Sequence, residues 1–163
     1  MKKTFIYILI VILLGYFSWV GFLWKFFNSG IAGSYPHAEA WTLNITEEKL
    51  IEAIIKVRSE HPEMVDSENV NIIQDNGFKH IVFYYKDSNE RVQTWVRSNE
   101  DANFTTIALI SISKVDNAKN ETSNFSIDRK EINKDFGYFE NRTEINKFEK
   151  KILTLIKDKA LNH

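Results

Sequence analysis

The stretch KHIVFYYKDSNERVQTWVR, residues 79–97, decides the fold of this chain. Its first half is rich in β-branched and aromatic side chains, which favour strands. The polar run DSNE at 87–90 is typical of a turn between two strands, and the second half then returns as the partner strand. The stretch therefore predicts an antiparallel pair within a β-meander.

The residue patterns of two further stretches predict additional strands of this sheet. Residues 39–45 alternate between apolar and polar, with Trp41, Leu43 and Ile45 on one face, as in a half-buried strand. Residues 104–115, FTTIALISISKV, form the longest predicted strand. Because its middle is apolar on both faces, we expect it to be central in the sheet. Short strands are also predicted at 70–74 and 125–127.

Two amphipathic helices are predicted, each with a threonine cap. Thr46 precedes two glutamates and an apolar stripe, and the first helix is expected to end at His61-Pro62 because the residue before proline avoids helical geometry. Thr143 is the predicted cap of the second helix. Two apolar helix faces need one apolar surface to cover, so we expect an α+β fold, an antiparallel meander with both helices on one face.

The segment between the last strand and the second helix, residues 128–141, is charged and irregular. It contains Phe136, Tyr138 and Phe139. We expect these three aromatic side chains to pin the segment to the body of the domain.

Residues 5–24 form an uncharged apolar run of 20 positions, FIYILIVILLGYFSWVGFLW. A helix that rises about 1.5 Å per residue just crosses a bilayer at this length. Lys2 and Lys3 precede the run, and Lys25 alone follows closely. The positive-inside rule therefore predicts a cytoplasmic N-terminus and an exported C-terminal part.

This pattern divides the chain into an anchor at 1–27, a linker at 28–37 and one domain at 38–163. The linker can reach no more than about 35 Å when fully extended. A signal peptide is the alternative, since small residues at 29–33 resemble a weak cleavage site and the domain would then be exported. The length of the run and its aromatic residues favour an uncleaved anchor.

Composition limits where the domain works. The chain has no cysteine, and so no disulfides and no cysteine-linked lipid, which fits a bacterial inner-membrane protein with its domain in the periplasm. Removing Lys2, Lys3 and Lys25 from 21 basic residues leaves 18 against 22 acidic ones, a charge of −4 outside the anchor. Such mild acidity disfavours nucleic acid as a partner. The expected partners are the membrane, through residues 5–24, and a protein of the envelope.

Motifs for chemistry are missing from the sequence. The four histidines have no metal-ligand spacing, no serine lies in a Gly-x-Ser-x-Gly elbow, and the glycines form no phosphate loop. We therefore expect no enzyme activity, no cofactor and no metal site.

The aromatic residues of the central strands offer the one candidate site. If the helices cover one face of the sheet, the other can expose Tyr84, Arg91, Trp95 and Arg97, which are typical anchors of protein interfaces. The alternative, which we favour, is that the aromatic residues belong to the core and to cross-strand pairs.

Four segments resemble small membrane-anchored or exported proteins of Bacteroidota: GSYPHAE at 33–39, IVFYYK at 81–86, TWVR at 94–97 and INKDF at 132–136. The resemblance implies an envelope location and supplies no catalytic residue. We expect a membrane-anchored domain that serves as an interaction or accessory subunit of an envelope complex. The alternatives are a module for a small apolar ligand or lipid, and an immunity-type protein.

Overall fold

A computed structural model of the protein describes residues 35–66, 71–99, 103–115 and 128–161. The predicted anchor and the predicted strand at 125–127 lie outside these residues. Within them, no helix combines the length and apolarity needed to cross a bilayer. The described elements belong to one compact unit that begins at His37.

An antiparallel sheet of six strands forms one layer of this unit. The strand order is β1-β5-β4-β3-β2, and the two-residue strand β6 pairs with β5 on the same side as β1. The strands are β1 Glu39–Leu43, β2 Ile73–Asp75, β3 Phe78–Tyr85, β4 Glu90–Ser98, β5 Thr105–Lys114 and β6 Lys130–Glu131. The predicted hairpin at 79–97 is confirmed as β3 and β4, while β6 was not predicted.

Strand β5 lies inside the sheet, as its two apolar faces predict. Every residue from Thr105 to Ser113 is buried. The pairing with β4 shifts by one residue between Gln93 and Thr94, so that Ile110 forms a β-bulge. The bulge lets Leu109 and Ile112 share one face of the sheet.

Helix α1, Glu47–Glu60, begins and ends where the sequence predicts. The Thr46 hydroxyl accepts a hydrogen bond of 3.4 Å from the backbone N–H of Lys49, which is the expected N-cap. His61 closes the helix, and a single 3₁₀ turn at Pro62–Met64 follows.

The C-terminal helix begins earlier than predicted. It consists of α2 at Tyr138–Phe148, a π-helical turn at Glu149–Leu153 and α3 at Thr154–Leu161. Gly137 occupies the N-cap position, and the Thr143 hydroxyl instead donates a hydrogen bond of 2.9 Å to the carbonyl of Phe139. The prediction of Thr143 as cap was wrong because it followed the apolar periodicity, which starts only at Ile145, whereas the first turn projects away from the core.

The exposure of that first turn corrects a second prediction. Phe136 is half-buried against the core, as expected. Tyr138 and Phe139 are 73% and 83% exposed, so they do not pin the segment to the domain. Phe148, in the last turn of the same helix, is fully buried.

Both helices pack on the same face of the sheet. One cluster joins apolar side chains of α1, the C-terminal helix and the helix-facing rows of β3, β4 and β5, and it includes Leu50, Ile54, Ile81, Phe83, Val96, Ile107, Phe148, Ile152 and Ile156. Trp41 of β1 ties the layers together: its indole nitrogen donates a hydrogen bond of 2.8 Å to Glu149, and its ring lies 5.3 Å from that of Phe148. The fold is therefore α+β, an antiparallel sheet with two helices.

Candidate interaction surface

The four residues predicted as an interaction site share one face of the sheet, opposite the helices. Tyr84 of β3 pairs directly with Arg91 of β4, and Trp95 and Arg97 follow on the same side of β4. The hairpin register thus brings the four side chains into one row, but their environments differ.

Tyr84 and Arg91 are engaged within the domain. The Tyr84 hydroxyl donates a hydrogen bond of 2.5 Å to Asn89 in the turn between β3 and β4. The Arg91 guanidinium forms an ion pair with Asp66, whose residue is 8% exposed. Both side chains therefore help to hold loops onto this face.

Trp95 is 1% exposed and takes part in packing. Its ring meets the edge of Phe78 with centroids 5.1 Å apart and planes at 79°. Its indole nitrogen is buried and forms no hydrogen bond with the residues that the structure describes. Arg97 lies above this pair, with its guanidinium 5.0 Å from the centre of the Phe78 ring, and it is the exposed member of the row.

Strand β2 pairs with the first residues of β3, which begins at Phe78, and it is the last strand at this edge of the described sheet. All three residues of β2 are exposed, and Ile73 shows 56% of its surface. The turn from β2 to β3 is Asn76-Gly77, with φ of 48° and 80°, the left-handed values of a two-residue hairpin turn. The exposure of Ile73 was not predicted from the sequence.

The direction of the backbone groups on β2 follows from the hairpin. Asp75 pairs with Phe78 across the two-residue turn, and Ile73 pairs with His80. In an antiparallel ladder, hydrogen-bonded and non-hydrogen-bonded pairs alternate. Because the pair that closes such a turn is hydrogen-bonded, the N–H and C=O of Gln74 point outward, away from β3. We call Ile73, Gln74 and Asp75 the β2 edge.

His80 is the histidine closest to this edge. It lies opposite Ile73, with its ring centre 6.5 Å from that of Phe78. Its burial lowers the pKa below the usual value for histidine, and the nearby Asp75 works in the opposite direction. This shift favours the neutral ring, whereas Arg97 on the same face of the sheet carries a positive charge.

The chain enters the domain at the edge of the sheet opposite to β2. The contacts at that edge are specific. The Asn133 side-chain amide donates hydrogen bonds of 3.2 Å to the carbonyl of His37 and 3.0 Å to the carboxylate of Glu39. Asn133 and Asn141 also exchange two hydrogen bonds, of 2.8 and 2.6 Å. These contacts fix the first residues of the domain to the first turn of α2.

A further charged cluster joins the turn between β3 and β4 to the C-terminal helix. The Lys147 ammonium contacts Glu90 at 2.7 Å and lies 4.2 Å from the centre of the Tyr85 ring, while Lys151 contacts Asp87 at 2.8 Å. Burial, with Glu144 and Glu90 nearby, raises the pKa of Tyr85 far above its ordinary value, so its hydroxyl stays protonated. The arrangement attaches the turn to the helix.

Two other features are less specific. A groove of about 250 Å³ between α1 and α3 is lined by Lys49, Glu52, Ala53, Lys56, Lys159 and Ala160. Among the residues that the structure describes, no group of three or more histidine, cysteine or acidic side chains could hold a metal ion.

No protein-family profile and no curated protein matches the sequence. The resemblance to proteins of Bacteroidota therefore stays a prediction.

Proposed function

We propose that this chain is a single-pass protein of the bacterial inner membrane whose α+β domain acts as an interaction or accessory subunit of an envelope complex. The observation that supports the proposal is the difference between the two edges of the sheet. The chain enters the domain at β1, at one edge of the described sheet. Strand β2, whose three residues are exposed, forms the other edge.

The two sides are well separated. Three strands, β5, β4 and β3, lie between β1 and β2. At about 4.8 Å per strand, the two edges are about 19 Å apart. The residue at which the linker joins the domain is therefore well separated from the β2 edge.

The β2 edge has the properties that a binding strand needs. Ile73 exposes an apolar side chain, and Gln74 presents an unpaired N–H and C=O at the end of the described sheet. Exposed edges tend to pair with other chains unless they are shielded. Proteins that bind extended peptides use this geometry, since backbone hydrogen bonds give affinity and alternate side chains give specificity.

The expected partner is an extended segment of another envelope protein that adds as a strand next to β2. Arg97, exposed above Phe78 and close to this edge, is suited to an acidic or amide-rich side chain of that segment. Trp95 packs against Phe78 beside this edge, whereas Tyr84 and Arg91 hold loops elsewhere on the same face.

Site-specific photocrosslinking in intact cells tests this proposal. The full chain carries a photoreactive phenylalanine analogue at Ile73 or, as the control, at Ile55 of α1, which is similarly exposed at 53%. We expect one discrete crosslinked product from position 73 and none from position 55. Equal products at both positions, or none at either, would contradict the proposed site.

A second variant tests whether the backbone of β2 takes part. Gln74→Pro removes the outward N–H and keeps the hydrogen bonds to β3, and proline is tolerated on edge strands. It should abolish the crosslink from position 73 and leave the domain folded. The matched control Gln74→Ala, which keeps the N–H, should preserve the crosslink.

A further inference from the structure

Tyr138 and Phe139 form an exposed aromatic pair at one corner of the domain. Their rings lie 5.3 Å apart with planes at 81°, an edge-to-face contact, and they are 73% and 83% exposed. Each aromatic side chain offers roughly 150–250 Å² of surface that is favourable to bury. Two adjacent aromatic residues with this exposure leave apolar surface on the first helical turn that a partner can bury.

This aromatic pair lies where the chain enters the domain. The Asn133 side chain donates a hydrogen bond to the carbonyl of His37, and Asn133 and Asn141 exchange two hydrogen bonds. The backbone N–H of Asn141 in turn donates a hydrogen bond of 2.8 Å to the carbonyl of Gly137, which closes the turn that carries the pair. We call this region, His37, Asn133, Asn141 and the aromatic pair, the tether corner.

The linker joins the domain at the tether corner. It has ten residues, at 28–37, and can reach no more than about 35 Å when fully extended. Its last residue, His37, accepts the hydrogen bond from Asn133. The aromatic pair therefore lies beside the residue at which the linker joins the domain.

The chemistry of the corner suits the interface between lipid and water. Tyrosine and phenylalanine are stable at the depth of the lipid headgroups, where the tyrosine hydroxyl reaches water. The charges next to the pair are largely compensated, since Lys130 contacts Glu140 at 3.3 Å and Lys134 contacts Glu131 at 2.9 Å. Arg142 is exposed one turn beyond the pair, on the same side of the helix.

We propose that Tyr138 and Phe139 insert into the interfacial layer of the membrane and fix the orientation of the domain on it. This inference rests on the proposed function, because it requires residues 5–24 to remain in the bilayer. It adds a second, peripheral membrane contact. Because Lys130 and Lys134 are both paired with carboxylates, insertion should depend little on anionic lipid or on salt.

The lack of cysteine in the chain makes a direct test simple, because one introduced cysteine gives one labelling site. The full chain is reconstituted into phosphatidylcholine vesicles and, separately, into vesicles that also contain phosphatidylglycerol. A nitroxide is attached at Arg142→Cys, beside the intact pair, or at Ile73→Cys as the control. Its relative accessibility to oxygen and to a water-soluble nickel complex reports the depth of the label.

We expect the oxygen-to-nickel accessibility ratio at position 142 to be several-fold higher than at position 73 in both lipids. Adding Tyr138→Ser and Phe139→Ser should reduce the ratio at 142 to that at 73. Equal, water-like ratios at both positions in vesicle-bound protein would overturn the inference and leave the anchor intact. Release of the unlabelled chain from the vesicles by alkaline carbonate would instead overturn the proposed function.

Discussion

Asn133 donates a hydrogen bond of 3.2 Å from its side-chain amide to the backbone carbonyl of His37. This contact joins residues 96 positions apart in the chain and fixes the place where the domain begins. Asn133 achieves this in a left-handed backbone conformation, with φ of 58°. Both the side chain and the conformation therefore contribute to the tether corner.

Substitution of Asn133 separates these two contributions. Asn133→Ala loses the hydrogen bonds and introduces left-handed strain, so it should lower the free energy of unfolding by about 2–3 kcal/mol. Asn133→Gly loses only the hydrogen bonds and should lower it by about 1 kcal/mol. Urea unfolding of the full chain in detergent micelles, followed by circular dichroism, measures both. Equal losses would show that the backbone conformation contributes nothing.

Truncation of two phenylalanines of α2 should change the free energy of unfolding by very different amounts. Phe148 is fully buried and packs against Trp41, so Phe148→Ala should lower the free energy of unfolding by about 3–5 kcal/mol. Phe139 is 83% exposed, and Phe139→Ala should change it by less than about 0.5 kcal/mol. The same denaturation assay compares them. A large loss for Phe139→Ala would mean that its ring packs within the domain.

The pair of Glu90 and Lys147 predicts an acid-sensitive contribution to stability. Burial works to raise the pKa of Glu90, but hydrogen bonds from Lys147 and Ser88 outweigh it and hold the pKa below the ordinary value of 4.5. A depressed carboxyl pKa adds stability above 4.5 that is lost as the pH falls through the folded-state pKa.

Glu90→Gln should therefore be less stable than the wild type near neutral pH, and the difference should shrink as the pH falls below the ordinary value of 4.5 and through the folded-state pKa. Urea unfolding across this range gives the curve. Asp87→Asn is the matched control, since Asp87 contacts Lys151 in the same cluster but is 83% exposed. It should show a much smaller difference. A constant gap between wild type and Glu90→Gln would refute the assignment.

The ion pair of Asp66 and Arg91 should couple the loop after α1 to the sheet. Removing Arg91 takes its ion-pair partner away from the largely buried carboxylate of Asp66, so Arg91→Met should destabilise by about 2 kcal/mol. In the double variant with Asp66→Leu, part of this loss should be regained. A double-mutant cycle should give a coupling energy above about 1 kcal/mol, and a value near zero would show that the contact does not matter for folding.

The sequence was informative where one local pattern has a single packing solution. Helix α1, the hairpin at 79–97 and the central strand β5 all follow from periodicity, turn residues and caps. The start of the C-terminal helix did not, because Tyr138 and Phe139 interrupt the apolar pattern with exposed aromatic residues. Strand β6 is also too short for any alternation to show.

The candidate surface was predictable only in part. Alternation along β4 places Arg91, Trp95 and Arg97 on one face, and the register confirms it. That Arg91 pairs with Asp66 depends on a contact 25 residues away, which no local pattern reveals. The exposure of Ile73 likewise depends on which strand is last in the sheet.

The central claim is that a membrane anchor holds the domain on the periplasmic side of the inner membrane. Cysteine labelling in spheroplasts tests this claim most directly. Single variants carry Ile73→Cys in the domain or Lys3→Cys before the apolar run. A membrane-impermeant maleimide should label position 73 in intact spheroplasts and position 3 only after lysis, with the protein retained in carbonate-washed membranes. Labelling of position 73 only after lysis, or release of the protein into the carbonate wash, would contradict the account.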